Sequence, residues 1–542
     1  MFLVNLGLPS LWDKDEGRNA TAALEMLKSG DYIVPHFNSE LRVDKPALLY
    51  WLQAAAYKVF GIHEFSARLP SALASLLTLL LCYELGRSLF GKTTGLLAAL
   101  IVCTTPFMCG AARFANPDAL LQLFIVSIMF CFWQSLPRTP YVNDQRTPRI
   151  SGGSSTSSIS CTNRGGSPLW FVAMGAAAGL AALAKGPVGV VLPGSAIAIY
   201  CWWTGQGRNL FRPALFLAAA TCLLVALPWY VAVGLETKAR FLSGFFLDHN
   251  IQRFLAPMEN HRGSLVYYPA ALLVGTAPWS VFWWLLCRPT KQISEHRFLA
   301  SWLVVVLLFF SMAATKLPNY VLPAMLPCAL LVAHQMIRWC RGEIQLPMWL
   351  TYLSLFSIGV IGVIVVVGTM LAAGTIPGLR GRTYPGLERL APLGLVPIVG
   401  AAVACWLMRR GQRVGVVWAL AITSIGFSLP LGLWASAVLD DFKAPRALLE
   451  HTQAQRTDLP LDIYCWNVAH LPSLNFYARR DLTHCDSADS VLSHLLNPTP
   501  AYVILPEQDW EKLKRFVHVP IHELAHHHDM LGNETLVIVS NR

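Results

Sequence analysis

Stretches of mostly apolar residues long enough to cross a bilayer as helices, which takes ~20 residues, recur at 66–89, 92–112, 115–136, 168–184, 187–204, 211–233, 266–287, 297–314, 318–338, 347–372, 389–408 and 413–438. These twelve windows predict an α-helical polytopic membrane domain over 66–438. Three polar stretches interrupt the pattern. The first, 1–65, reads as a loop with short helices beside the membrane. The second, 139–167, is rich in Ser and Gly and reads as a flexible loop. The third is the tail, 439–542, where the apolar period shortens. Strand patterns at 461–466, 502–505 and 535–540, with helical patterns near 444–455 and 510–517, predict a small α/β domain.

Charge sets the orientation. Alternate short connections carry Arg87 and Lys92; Arg138, Arg146, Arg149 and Arg164; Arg208 and Arg212; Arg288, Lys291 and Arg297; Arg338 and Arg341; and Arg409, Arg410 and Arg413. Basic loops stay in the cytoplasm. The first loop, the stretch 234–265, the stretch 373–388 and the tail then lie outside, and nearly all acidic residues are on that face. The net charge of +11 is therefore a topology signal and implies no nucleic acid. An external first loop needs something to carry it across. The apolar lead 1–9 is less than half a span of ~20 residues and has no basic n-region, so a further helix is expected upstream, giving thirteen spans in the complete protein.

Composition agrees with the pattern: 54% of residues are hydrophobic and 13% charged, with a mean hydropathy of +0.47. Most of the thirteen cysteines lie in spans, where a thiol is a small apolar group. Cys465 and Cys485 stand apart in the tail, as a candidate disulfide if that compartment is oxidising.

Ionisable side chains at span ends are costly unless they face a polar cavity. The external ends supply Asp15, Glu16 and Arg18, then Asp44 and Lys45, Asp118, Lys185, His249 and Arg253, and Lys316 with Tyr320. Carboxylates and cations together suit a reaction in which one carboxylate takes a proton while cations stabilise a phosphate leaving group. Four residues apart, His249 and Arg253 share a helix face and could grip a phosphate, or His249 could join a carboxylate on a metal. Taken singly, each of these is as well explained as an interfacial anchor.

The loop LWDKDEGRNATAALEMLKSGDYIVPHFNSELRVDKPALLYW resembles the first external loop of the lipid-A aminoarabinose transferases (ArnT-like) and the related protein O-mannosyltransferases, GT-C enzymes that use polyprenyl-phosphate sugars such as those on undecaprenyl phosphate. FGIHEFSARLPSAL, NPDALLQLF, AKGPVGVVLP, HNIQRF, HRGSLVYYPAALLVGTAPW and KLPNYVLP follow in the family's order, over about 11–340. The resemblance implies a GT-C fold and direct, inverting transfer of a sugar from a polyprenyl phosphate to a lipid (lipid A-like) or other envelope acceptor. It implies a bacterial inner membrane setting, with the site and the tail facing the periplasm. It makes Asp15, in the DE motif with Glu16, the catalytic aspartate and Asp118 the second acidic residue of the cavity. Lys45, Arg18, Lys185, Arg253, Lys316 and Tyr320 fall around the donor phosphate. Asp44 stands where some relatives have Glu before Lys-Pro, a carboxylate that in them can join a His on a divalent metal; Asp44 and His249 are the metal candidates here. The His249 to Arg253 spacing is one residue longer than in some relatives, so either His249 or Asn250 fills the family position. For a hydroxyl acceptor Asp15 would be the base; for a phosphate acceptor, already ionised, it would orient acceptor or donor.

Two rival readings were weighed. His522, Glu523 and His526 spell HExxH, the zinc-protease pattern, but the surrounding His run reads better as a solvated helix or loop. A transporter or lipid flippase could also line its path with charges, yet no internal repeat is evident and the charges gather at external ends.

Overall fold

The computed structural model describes residues 1–12, 14–137, 167–257, 263–376, 383–450, 452, 462–468, 471–530 and 532–541. The loop expected at 139–167 lies outside them except for Ser167, as do the residues beyond Glu450 of the helix expected over 444–455, Thr452 excepted. The first elements are α1 (Asp15–Ser29), the hairpin β1 (His36–Phe37) and β2 (Glu40–Leu41), and α2 (Leu48–Phe60). There follow α3 (Glu64–Phe90), α4 (Lys92–Cys103), α5 (Pro106–Arg113), α6 (Asp118–Ser135), α7 (Pro168–Lys185), α8 (Val188–Trp203) and α9 (Pro213–Glu236).

Among the described residues nine helices are long and apolar enough to cross a membrane, or ten if α4 and α5 form one bent span. The twelve apolar windows exceed that count for local reasons. The chain turns by 65° between α4 and α5; Pro106 forces Thr105 into extended backbone, ψ 141°, because its ring clashes with a helical predecessor. The window at 187–204 holds a helix of only 16 residues. The window at 266–287 divides into an α-helix, Tyr267–Gly275, and a 3-10 stretch, Trp279–Cys287, with Pro278 at the junction. Hydropathy reports transfer into lipid and is blind to helix breaks.

The span Pro318–Cys340 is 89% buried over its apolar window and forms the axis of the bundle, whereas Met348–Ala372 is 17% buried and faces outward. Above the bundle, α1 and the segment before it are tied to α3 by one side chain. Arg68, 2% exposed, donates to both Glu16 oxygens (2.8 and 2.9 Å) and to the carbonyls of Leu6, Pro9 and Ser10. Glu16 also accepts the backbone N–H groups of Trp12 and Ala115, each at 2.7 Å. Every lone pair of the buried carboxylate has a donor, which is the condition for burying such a pair.

The tail is a mixed five-stranded sheet in the order β4-β3-β5-β7-β6, with β3 Asp462–Cys465, β4 Thr483–His484, β5 Ala501–Pro506, β6 His522–Asp529 and β7 Glu534–Ser540. Strands β4, β3 and β5 run parallel, and β7 pairs antiparallel with both β5 and β6. Cys465 and Cys485 are neighbours, the Cys485 N–H donating to the Cys465 carbonyl at 2.8 Å, and both thiols are free. The His run, expected as a helix or loop, is strand β6. Residues four apart on a strand stand about 13 Å apart, so His522 and His526 cannot share a zinc ion as they would on one helix turn; His526 instead pairs with Glu507 and Glu523.

The buried helix Ser473–Ala478 joins the tail to α1. The contact depends on Gly17, where a Cβ would stand 2.5 Å from the Ser473 nitrogen.

Candidate active site

Two cavities share one polar wall. The first, about 450 Å³, is lined mainly by apolar side chains, among them Val188, Val191, Phe245, Phe254, Phe309 and Leu322. The second, about 790 Å³, is lined by Trp12, Lys14, Asp15, Arg18, Phe107 and Asn116. Asp44, Lys45, Asp118, His249, Arg253, Asn319 and Leu322 line both.

Helix ends deliver the wall. Asp118 opens α6 and Lys185 closes α7, each charge at the end of the helix dipole that favours it. The two form an ion pair, and Asn319 donates to the other Asp118 oxygen at 2.5 Å. Lys185 also sits 4.9 Å from the centre of the Tyr320 ring. After Lys185 the chain turns through Gly186, φ +80°, where a Cβ would meet the Phe245 ring at 2.5 Å; only glycine permits both the turn and the contact.

Phe245 belongs to a π-helix, Gly244–Gln252, a wide turn common at functional sites. Along this segment Phe245, His249, Ile251, Arg253 and Leu255 all border the apolar cavity, whereas Leu247 is exposed and does not. Of the two alternatives for the family position, His249 faces the site, its Nε2 3.1 Å from Asp44 Oδ1. Asn250 turns back to donate to the Phe245 carbonyl at 2.7 Å.

The electrostatics are cationic. Burial depresses the Lys45 ammonium to about 8, with Lys185 and Arg253 adding to the fall and Asp15 and Asp44 opposing it. Burial would raise the Asp44 carboxyl, but Arg42, His249, Lys45 and Arg18 outweigh it and hold the pKa below the ordinary value. Burial likewise lowers His249 despite Asp44. Two buried nitrogens in the wall, Arg253 Nε and His249 Nδ1, have no hydrogen-bond partner among the described residues. Arg253 Nε is a donor, rarely left so when buried, and with Nε2–H directed at Asp44 a neutral His249 offers Nδ1 as an acceptor; both residues border a cavity.

Asp15 is exposed at the start of α1, next to Lys14, whose left-handed φ of +70° is uncommon for a residue with a Cβ. Glu16, expected beside it in the chemistry, borders the same cavity but is fully paired in the Arg68 clamp. Lys316 is a second correction. Its ammonium donates to the carbonyls of Phe310 (3.0 Å) and Ser311 (2.6 Å), capping the helix Ile293–Met312, and it lines neither cavity. Asn319, Arg42 and Arg68 escaped the sequence reading. All three lie in motifs given above, Asn319 in KLPNYVLP, Arg42 in the first loop and Arg68 in FGIHEFSARLPSAL, but their partners are set by the fold.

The metal candidates Asp44 and His249 make a mutual hydrogen-bonding pair, with Arg42 3.4 Å from the other Asp44 oxygen. Among the described residues no group of three or more His, Cys, Asp or Glu side chains could hold an ion. Two donors amid cations fall short of a protein-built divalent site.

A family model described as dolichyl-phosphate-mannose-protein mannosyltransferase matches residues 44–139. The undecaprenyl phosphate-alpha-4-amino-4-deoxy-L-arabinose arabinosyl transferase of Erwinia tasmaniensis is 31% identical over 62% of this chain and 57% of its own length. That of Pseudomonas aeruginosa is 31% identical over 63% of the chain and 58% of its length, and that of Edwardsiella ictaluri is 28% identical over 84% of the chain and 78% of its length. The chain thus spans a little under three fifths of the first two relatives. The crystal structure of ArnT from Cupriavidus metallidurans bound to undecaprenyl phosphate superposes with a TM-score of 0.80 at 22% identity, covering 100% of this chain and 96% of that one. On these likenesses this integral membrane protein shares the fold of that ArnT structure, a helical bundle with a sheet domain, and is similar in sequence to the arabinosyl transferases.

Proposed function

We propose that the chain is an inverting glycosyltransferase that moves a sugar from a polyprenyl phosphate to a lipid A-like or other envelope acceptor, on the outer face of a bacterial inner membrane. One observation carries the reading: a cationic wall with an unpartnered buried Arg253 nitrogen lies between an apolar cavity and one lined by the exposed carboxylate Asp15. A lipid phosphate satisfies every part of that arrangement. The polyprenyl chain leaves through the apolar cavity, the phosphate lies against Lys45, Arg253 and His249, and the sugar C1 projects toward Asp15.

The acceptor oxygen attacks C1 and the C1–O bond breaks, its electron pair passing to the phosphate. That group gains negative charge as it leaves, and preorganised cations stabilise it most at that moment. With a hydroxyl acceptor the displaced proton goes to Asp15; with a phosphate acceptor none needs to move, and Asp15 orients the incoming group. Asp118 keeps Lys185 in place beside the phosphate, and Asn319 fixes Asp118. Arg18, near enough to Asp44 to help hold it ionised, adds its charge to the wall.

The test uses purified full-length protein, labelled undecaprenyl-phosphate sugar and envelope lipids. Transfer by the wild type, lost in Asp15→Asn and Lys45→Ala, is expected. Transfer that persists in both variants would remove the site assignment, and lipid movement between leaflets without transfer would replace the enzyme by a flippase.

A further inference from the structure

The segment that carries the wall's lysine also carries Arg42, which the reaction above does not use. Its side chain is buried, 6% exposed, and is held from two helices. Nε donates to the Tyr50 hydroxyl of α2 at 2.8 Å, and Nη2 donates to Asn19 Oδ1 of α1 at 3.0 Å. Both partners are fully buried, and Asn19 is itself fixed, its Nδ2 donating to the Ala115 carbonyl at 2.9 Å. The backbone N–H of Arg42 donates to the Pro35 carbonyl at 2.9 Å. All these acceptors are neutral. Among the described residues the one carboxylate within ion-pair distance of the guanidinium is Asp44, whose Oδ2 stands 3.4 Å from Nη2.

Asp44 is therefore shared. Its Oδ1 lies 3.1 Å from His249 Nε2, so the guanidinium engages one oxygen and the imidazole the other. Against the burial that would protonate Asp44, Arg42 is the foremost of the charges that keep it ionised. A guanidinium keeps its proton at any working pH, and its planar fork fixes direction as well as charge. Contacts thus run from α1 and α2 through Arg42 and Asp44 to His249 at the cavity edge. Asn19 stands four residues after Asp15, on the same face of α1, so the same guanidinium ties the helix that presents Asp15 to the phosphate wall.

The resemblance of the first loop implies a divalent ion between Asp44 and His249, and the residues present do not suit one. The chain would offer it one carboxylate and one imidazole, with Arg42, Lys45 and Arg18 already acting on that carboxylate, whereas divalent ions are held by three or four strong donors or by a shell of oxygens. The work such an ion would do, a fixed positive charge that orients Asp44 and His249 behind the phosphate, is already done by a side chain. We propose that Arg42 is the positioning residue of this wall: it stands in for a divalent ion, fixing Asp44 and through it His249, so that donor binding and transfer proceed without metal. The proposal rests on glycosyl transfer at the Asp15 cavity and adds to it what orders the wall of that cavity.

The test has two arms on the full chain in lipid nanodiscs. In the first, wild type is treated with EDTA and then given zinc or magnesium. Its Kd for undecaprenyl phosphate and its transfer rate should be the same before and after chelation, and neither ion should improve them. This arm needs no variant, so it decides the matter even if a substitution at Arg42 fails to fold. Donor affinity that is lost to EDTA and regained with either ion overturns the proposal. The second arm compares Arg42→Lys, His249→Ala and the double variant. Arg42→Lys keeps the charge but loses the fork, and should weaken undecaprenyl phosphate binding about tenfold, the worth of one hydrogen bond to a charged group. In the His249→Ala background the same substitution should leave the Kd unchanged, because residues that act as one unit are not additive. An equal loss of affinity in both backgrounds, or a lowered melting temperature with no change in Kd, makes Arg42 scaffolding and overturns the proposal. If no form transfers while donor binding stays insensitive to chelation and coupled through His249, the reaction falls and the role of Arg42 at the wall stands.

Discussion

Lys45 should make donor binding depend on pH in a window where few other groups titrate. Burial brings its ammonium down to about 8, so about nine tenths of the unliganded protein carries this charge at pH 7 and about one tenth at pH 9. A phosphate monoester completes its second ionisation near pH 6, and undecaprenyl phosphate therefore stays dianionic across that interval. If only protonated Lys45 grips the phosphate, the Kd should rise about tenfold from pH 7 to pH 9. Lys45→Met should bind about ten- to hundredfold more weakly at pH 7, the loss of one charge-assisted contact, with a flat profile above it. Lys45→Arg, which cannot lose its proton in this range, should also be flat, but closer to the wild-type affinity. Titration of undecaprenyl phosphate into nanodisc-embedded protein at pH 7, 8 and 9 reads all three.

The same shift has a sign in stability. Because the folded pKa lies below the reference value of 10.5, the unfolded chain binds more protons between about pH 8 and 10.5, and this residue's contribution rises with pH there. The burial cost, up to about 3 kcal/mol, is fully present below pH 8. Without donor, Lys45→Met should therefore melt above the wild type at pH 7, and the gap should narrow as pH climbs through the window. A wild-type Kd that changes less than about threefold, or an Arg variant with the wild-type pH profile, refutes the assignment of the titrating group.

Three further substitutions separate chemistry from scaffolding. Asp15→Asn should keep its melting temperature and lose about 10²- to 10⁴-fold in transfer to a hydroxyl acceptor, whereas Glu16→Gln should lose about 3–5 kcal/mol of stability by stranding Arg68; thermal melts and single-turnover transfer on both variants check the pair. Lys316→Met should lower the melting temperature but leave undecaprenyl phosphate affinity unaltered, since its ammonium caps a helix, and a weakened Kd would return it to the phosphate. Gly17→Ala must push α1 off Ser473 and should cost about 1–3 kcal/mol, visible as a lower melt and as faster hydrogen exchange over 15–29 and 473–478.

Much of this was legible because membranes impose simple rules. Apolar length and the placement of arginines are enough for a helical bundle with its charged loops on one side. The tail's sheet was legible from alternation at β3, β5 and β7. Legibility failed where the deciding force is not transfer into lipid. The bend at Pro106 and the split at Pro278 are backbone events inside windows of uniform hydropathy. In β6 the His run looked solvated, and half of it is exposed, but its backbone pairs with β7 from Asp529 to His522; a ladder can recruit a polar edge strand without any apolar signal.

The site divides along the same line. Asp15, Lys45 and Asp118 stood out as charges beside spans, but adjacency in sequence misled twice. Glu16 follows Asp15 by one residue, which on a helix turns the side chain by about 100°, enough to send one carboxylate to the cavity and the other into Arg68. Lys316 shares a motif with Asn319, yet the lysine lies in the segment after the helix Ile293–Met312 and the asparagine in the 3-10 turn Pro318–Val321, so the lysine satisfies carbonyls behind it while the asparagine reaches Asp118. The residues that buttress the wall, Arg42, Arg68 and Asn319, are defined by what they touch across tens or hundreds of positions. A carboxylate next to a membrane is thus a reason to look for a site. Whether it acts or merely holds is decided by where its partners come from: Glu16 is fully paired, whereas Asp15 stays exposed and Arg253 keeps an unpartnered N–H at the cavity edge, where an anionic substrate would complete it.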